Sequence, residues 1–543
     1  MIKVENFELN SDKYFYSTFP EISIPDQSLT SYLLPYLQRH GKKTITIDGV
    51  TGREYSGLEI KSNIEKVASF LTKLGLKKGD VVGVILQNVP EYLMIFHGIL
   101  LIGCVASTIT GDYQIEEIKK TIGTVNPKLL ITQSIFQDKI AGITKEIPSI
   151  QNVVVVGDVI PNTIPFQTAL DTPINYPNVK INSYEDLAVL PFSSGTTGLP
   201  KGVMLTHRNL LSNMLQIQAV ESPTYTYNEV VIGVIPYFHI YGMIFFLCVC
   251  VKAGISSVSL PRFDALSFLK LIEKYKVTIT FIAPPVAILF AKSPVVDKFD
   301  ISSLRVLFSG AAPLSVSVEN AIKQRFGGRI HIKQAYGLSE ASPAIVITPY
   351  GANKPGTSGM LLPNQVLKIQ DIATGEIKGA GELGEICVRG PNIMKGYFNN
   401  PKATAEMIDA DRFLHTGDVG RIDKDGYLYI EDRVKELIKY KGFQVAPAEL
   451  EGLLLKHEKI SDVGVIGIAD EVSGELPRAY VVKQANQQVT VEEIQTWLNG
   501  QIAHYKRLRG GIIFIDQIPR SSSGKILRRE LKAKVLSLEQ SKL

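Results

Sequence analysis

The segment Ser193-Ser194-Gly195-Thr196-Thr197-Gly198-Leu199-Pro200-Lys201-Gly202 gathers the groups that hold phosphate. Glycines let successive backbone N–H groups turn towards an anion, the hydroxyls add donors, and Lys201 adds charge. The segment follows an apolar strand over 187–192 and precedes a helix expected near Thr206. Such a strand–loop–helix setting suits an anion. It resembles a Walker A loop but departs from it, with Pro200 at the second glycine position and Gly202 at the Ser/Thr position. Composition alone would also fit a polar surface loop; the ordered flanks and dense hydroxyls favour phosphate.

The elements around this loop alternate between helical and strand patterns. Ile60, Ile64, Val67, Ala68, Leu71 and Leu74 recur at helical spacing until Gly75, and 81–86 then reads as a buried strand before Pro90 opens another helix. That rhythm predicts layered α/β architecture with sheets covered by helices. From about Lys354 the strands shorten and glycine turns multiply. In 432–441 six of ten residues are charged, against 20% for the chain, which marks a polar hinge. Beyond it lie an apolar strand, 463–468, and a helix opened by a capping box of Thr490 with Glu493. The expectation is an α/β protein with a large layered N-terminal domain, 1–432, and a small α+β C-terminal domain, 433–543.

Composition excludes several classes. The chain has 543 residues, 45% apolar and 20% charged, as ordinary globular proteins do. Lys and Arg exceed Asp and Glu by 58 − 53 = 5, too small and scattered an excess for a nucleic-acid partner. Cys104, Cys248, Cys250 and Cys387 form no C-x-x-C pair, which fits a reducing compartment. The uncharged run 230–251 is long enough to cross a bilayer, but Pro236, His239 and its glycines make it a buried core segment instead, so no transmembrane segment is expected. Residues 1–14 lack the apolar stretch of a secretory signal, so none is expected. Its last residues, Ser541-Lys542-Leu543, form the tripeptide read by the peroxisomal import receptor, so a peroxisomal location is expected, with the cytoplasm as the alternative.

Taken with four later segments, the loop resembles the signature of the adenylate-forming superfamily of acyl- and aryl-CoA ligases, adenylation domains and luciferases. Gln334-Ala-Tyr-Gly-Leu-Ser-Glu-Ala341 is similar to its adenine and magnesium motif, His415-Thr-Gly-Asp418 to its ribose motif, and Asp432-Arg433 to Gly442 to its hinge. Pro519-Arg-Ser-Ser-Ser-Gly-Lys525 is similar to its C-terminal lysine loop. The resemblance spans nearly the whole chain, and 437–447 is most similar to 4-coumarate–CoA ligases and luciferases.

The resemblance implies a two-step ligase. A carboxylate attacks the α-phosphate of ATP, giving an acyl-adenylate and pyrophosphate, and the thiol of CoA then displaces AMP. Ser193, Ser194, Gly195, Thr196, Thr197, Gly198 and Lys201 would cradle the β- and γ-phosphates. Gln334 and Ala335 would border the nucleotide, Ser339 would meet the α-phosphate, and Glu340 would hold Mg²⁺, which prefers oxygen ligands. Ser339 stands where the family usually has Thr. Asp418 would accept from both ribose hydroxyls, with Arg433 as a second ribose or phosphate contact. Lys525 would neutralise charge as the carboxylate attacks. The resemblance also implies a mobile C-terminal domain that swings about Lys435 and replaces Lys525 by Lys439. Lys441 and Gly442 would line the CoA path, with Gln444 close by and Arg262 near the CoA nucleotide. His239 is either an acyl-site histidine or a neutral core one.

By the same resemblance Tyr241, Ala311, Gln334, Ala335 and Gly337 would border the acyl group. Several hydroxycinnamate ligases have Gly at the position of Ala335 and a polar Asn-Ser pair at that of Ile244-Phe245, where this chain is apolar. A 4-coumarate-like aryl acid is expected, with a fatty or other apolar acid as one alternative and a luciferase-like monooxygenase as another.

Overall fold

The computed structural model describes residues 13–193, 200–221, 225–441, 443–470, 472–521 and 524–533. Ser194 to Gly198, Gly442 and Ser541-Lys542-Leu543 lie outside them, and so does the side chain of Gln444.

Local signals formed the expected elements. Ser56 and Glu59 close a capping box on the helix Gly57–Lys73. Gly75, at φ +85°, supplies the left-handed residue that turns the chain after it. The strand Val81–Ile85 then lies parallel to Val105–Thr108 and Leu129–Gln133 in a nine-stranded sheet. A second sheet of fifteen strands has two halves. One half is parallel, running from Thr44–Asp48 through Ser256–Ser259, Val230–Gly233, Ile279–Ile282 and Val306–Ser309 to His331–Gly337. There the pairing turns antiparallel through Ala344–Ile347, Gly359–Leu361, Tyr427–Arg433 and Leu414–Ile422. Crevices at such switches, beyond the carboxyl ends of parallel strands, are where α/β sheets bind ligands.

The uncharged run 230–251 is the strand Val230–Gly233, a turn, the short helix Ile240–Gly242 and the π-helical stretch Met243–Val249, mostly buried in the main core. Among the described residues no helix is long and apolar enough to cross a membrane. All four cysteines are buried free thiols.

The helix expected near Thr206 begins at His207. Two features differ from the expectation. Between the phosphate segment and that helix Lys201–Thr206 forms a strand that folds back on Phe192–Ser193 and on Leu187–Val189. Its alternating Val203 and Leu205 are fully buried. The described strands on either side of 194–199 thus pair as a hairpin. The capping box at Thr490 is half formed. Thr490 Oγ1 accepts from the Glu493 N–H at 3.2 Å, while the Glu493 carboxylate takes the Lys459 ammonium at 2.8 Å.

The C-terminal unit has its own five-stranded sheet and its own core, built on Val463, Val465, Ala479 and Val481 with Leu450 and Ile494 from the helices Pro447–Leu454 and Val491–Asn499. Position 432 falls inside the strand Tyr427–Arg433, so the large sheet continues one residue beyond it. Lys435 is exposed in the turn between that strand and Ile438–Tyr440.

Candidate functional site

The strand His331–Gly337 carries three expected contacts to the sheet's switch point. Gln334 is buried and its amide is engaged within the protein: Oε1 accepts from the Leu314 N–H at 3.1 Å and Nε2 donates to Glu319 at 2.6 Å. It thereby fixes the loop after Val306–Ser309, where Ala311 holds a left-handed φ of +71°. Ala335 is half-buried within the strand, paired with Ile347. Gly337 cannot be replaced, since a Cβ there would meet the Pro343 carbonyl oxygen at 2.0 Å.

Next comes the turn Ser339–Ala341. Ser339 is half-buried and Glu340 is buried, its backbone oxygen accepting from the Met394 N–H at 2.8 Å. Glu340 Oε1 accepts from the Tyr397 hydroxyl at 2.7 Å. Tyr397 sits in the short strand Gly396–Tyr397, paired with Val203 of the phosphate hairpin, and the Lys201 ammonium lies 4.9 Å from its ring centroid. Ser193 and Lys201 face each other across the hairpin's base. Carboxylate, phenol and lysine thus meet at the base of the hairpin. Burial, then the Glu340 charge, pushes the Tyr397 hydroxyl up, so it stays a donor. Tyr397 was invisible in the sequence, because only strand pairing brings it to Glu340.

Asp418 is buried opposite Arg433 in the strand pair. Its Oδ2 accepts from the Tyr336 hydroxyl at 2.7 Å and its Oδ1 from Arg433 Nε at 3.2 Å. Burial raises its carboxyl, while Arg433, Tyr336 and Lys525 pull it back towards the ionised form.

Lys525 reaches this group from the small unit. Its backbone is closed into a turn by Ser521, whose N–H donates to the Lys525 carbonyl at 2.8 Å, and Arg520 holds the Gly524 carbonyl at 2.9 Å. Gly524, at φ +85°, packs so close to Ala283 that a Cβ would lie 2.9 Å from that residue's own. Burial lowers the Lys525 ammonium, as does Arg433, whereas the charges of Asp418, Glu340 and Glu436 support it. It also lowers His239, which burial alone already holds far down, at about 3 in total. His239 is therefore neutral; its Nδ1 accepts from the Tyr241 N–H at 3.3 Å, leaving the proton on Nε2.

The residues expected to border the acyl group lie among aromatic side chains. Phe245 lies 4.6 Å from Phe281, 5.3 Å from Phe308 and 5.4 Å from Tyr241 between ring centroids. The Tyr241 hydroxyl donates to the Phe308 carbonyl at 3.3 Å, and its ring borders Gly310, next to Ala311.

Other expected residues stand apart from this cluster. Lys439 and Lys441 are exposed on the small sheet, Lys439 in the strand facing Gln444 and Lys441 at a left-handed φ of +47°. Arg262 is exposed after Leu260. Around the hinge the structure adds groups that no motif signalled. Arg433 approaches Glu436 at 3.5 Å, and Arg528 bridges Glu436 and Glu451, each at 3.1 Å.

Comparison with known proteins gives concordant results. The profile of the AMP-binding enzyme family matches residues 36–398, and that of the AMP-binding enzyme C-terminal domain matches 449–525. The chain is 49% identical to probable 4-coumarate–CoA ligase 1 of Dictyostelium discoideum, covering 97% of this chain and 98% of that one. It is 41% identical to 4-coumarate–CoA ligase 1 of Petroselinum crispum, covering 97% of each. The crystal structure of ATP-bound MatB from Rhodopseudomonas palustris superposes with a TM-score of 0.85 at 28% identity, covering 94% of this chain and 99% of that one.

Proposed function

This chain belongs to the AMP-binding enzyme family, and from that premise we propose that it is an ATP-dependent carboxylate–CoA ligase. The observation that carries this reading is the convergence of Glu340 held by Tyr397, Asp418 held by Tyr336 and Arg433, and Lys525 of the small unit, whose ammonium feels both carboxylate charges. In the first step a carboxylate oxygen attacks the α-phosphorus and the bond to pyrophosphate breaks. Both reactants are anions, so the site must supply oriented positive charge. Lys525 and Lys201 bring that charge, Asp418 receives the ribose hydroxyls, and Arg433 holds Asp418 in place. Glu340 fits a Mg²⁺ ligand: it is buried, Tyr397 orients one oxygen, and a hard cation takes oxygen donors. Bound there, Mg²⁺ would neutralise phosphate charge. In the second step the CoA sulfur attacks the acyl carbon, losing its proton, and AMP leaves.

For the second step the small unit swings about Lys435, taking Lys525 out and bringing Lys439 in. Lys441, Gly442, Gln444 and Arg262 then face CoA. The exposure of Lys435, Lys439 and Lys441 supports this arrangement.

The acid is an aryl acid of the 4-coumarate kind. The Phe245–Phe281–Phe308 cluster beside Tyr241 supports a flat, largely apolar aryl body. Pyrophosphate release with ATP and a panel of cinnamates, hydroxycinnamates and medium-chain fatty acids tests this. Release that depends on the acid, with cinnamates and hydroxycinnamates ahead of fatty acids, is the expected result; no release with any acid counts against the ligase. Ser541-Lys542-Leu543 would send the enzyme to peroxisomes through the import receptor. An N-terminally tagged chain that stays cytosolic with the tripeptide intact would refute that location.

A further inference from the structure

The residue before Asp418 is held in an unusual way. In the pairing of Gly384–Arg389 with Leu414–Ile422, Glu385 faces Val419 and Cys387 faces His415. One residue thus spans the gap on one strand and three on the other, so Thr416, Gly417 and Asp418 form a bulge. Gly417 adopts φ +70°. The bulge aims the Asp418 carboxylate, and its displaced backbone groups need partners outside the ladder.

Those partners are specific. The Gly417 N–H donates to Glu385 Oε1 at 3.0 Å, and the Gly417 carbonyl accepts from the Val434 N–H at 2.9 Å. Thr416 Oγ1 donates to the Ile386 carbonyl at 2.7 Å and accepts from the Asp418 N–H at 3.1 Å. Glu385 Oε2 pairs with His415 Nδ1 at 2.9 Å, and His415 Nε2 faces Asp409 Oδ2 at 3.3 Å. Asp409 is held by the Lys368 ammonium and the Phe413 N–H, both at 2.8 Å.

We propose that Glu385 is a positioning residue for nucleotide binding, clamping Gly417 so that Asp418 meets the ribose, with His415 and Asp409 holding Glu385 in place. This rests on the reading of Asp418 as the ribose ligand. The physical basis is that a carboxylate makes a stronger bond to a backbone N–H than a neutral acceptor does, and the His415 imidazole holds the second Glu385 oxygen at 2.9 Å. Hydrogen bonds to Glu385 and Asp409 raise the His415 imidazole, which supports its protonated form.

The Glu385 carboxylate, Cys387 Sγ and His415 Nδ1 also lie within 4.8 Å of one another, a spacing a metal ion would accept. Two facts favour the clamp. Both imidazole nitrogens already face carboxylates, and burial holds the Cys387 thiol protonated, whereas a metal takes the thiolate.

Calorimetric titration of the full chain with a non-hydrolysable ATP analogue and with its 2′,3′-dideoxy form tests the clamp. Glu385→Ala should weaken the ribose-bearing analogue by roughly tenfold, the loss of a charge-assisted hydrogen bond, and leave the dideoxy form unchanged. Glu385→Gln keeps one oxygen for Gly417 but loses the charge, so it should weaken the ribose-bearing analogue by roughly threefold and leave the dideoxy form unchanged; it carries the test if the alanine variant fails to fold. Unchanged affinity for both ligands, or an equal loss for both, overturns the clamp. So does a Co²⁺ titration that develops thiolate absorption removed by Cys387→Ser. A wild-type chain that binds the two analogues equally overturns the ribose reading itself.

Discussion

The Tyr397 hydroxyl donates to Glu340 Oε1 at 2.7 Å while its ring lies 4.9 Å from the Lys201 ammonium. One side chain thus ties the carboxylate to the base of the phosphate hairpin. Tyr397→Phe removes a hydrogen bond to a charged group, worth about 1.5–3 kcal/mol, and keeps the ring. Pyrophosphate release should fall roughly tenfold or more in kcat/KM and need more Mg²⁺ for half-maximal rate. An unchanged Mg²⁺ requirement would dissociate Tyr397 from Glu340.

Lys525 is drawn into the carboxylate cluster while Lys439 is exposed on the small sheet. Lys525→Ala should abolish adenylate formation yet still convert supplied acyl-adenylate and CoA to thioester. Lys439→Ala should show the opposite bias. Equal loss of both half-reactions in each variant would refute the exchange of lysines.

Lys435 lies exposed in the turn joining the two sheets. Proline there fixes φ and removes an N–H. Lys435→Pro should leave pyrophosphate release largely intact and cripple thioester formation, read from CoA thiol consumption. Normal thioester formation would move the pivot elsewhere.

Asp432 is buried beside the hinge, where its oxygens accept from the N–H groups of Arg433 and Ala448. Burial pushes its carboxyl up to about 7. An unfolded Asp releases its proton near pH 3.9, about three units lower, so between those values the folded chain binds the extra proton. This group's contribution to stability therefore declines as pH rises from about 4 to 7 and is level above. Asp432→Asn should flatten the fall of Tm over that range relative to the wild type. Parallel Tm curves for the two proteins would contradict the raised value.

Sequence alone determined whatever is encoded in neighbouring residues. The helix Gly57–Lys73 follows from its apolar spacing and Ser56–Glu59 cap, and glycines at 75, 417 and 524 mark turns because φ at each is positive. The motifs that carry Glu340, Asp418 and Lys525 are contiguous, so residue types in order sufficed to find them. The helix near Thr206 was legible, but the strand Lys201–Thr206 before it was not, because its pairing with Phe192–Ser193 and the burial of Val203 and Leu205 decide it. Tertiary structure alone decided which side chains meet. Tyr397 reaches Glu340 across 57 positions, Tyr336 reaches Asp418 across 82, and Lys525 joins them from another core. Hydrogen bonds of that kind depend on strand register and on the bulge at Gly417, which the packing of distant segments sets and no local pattern records.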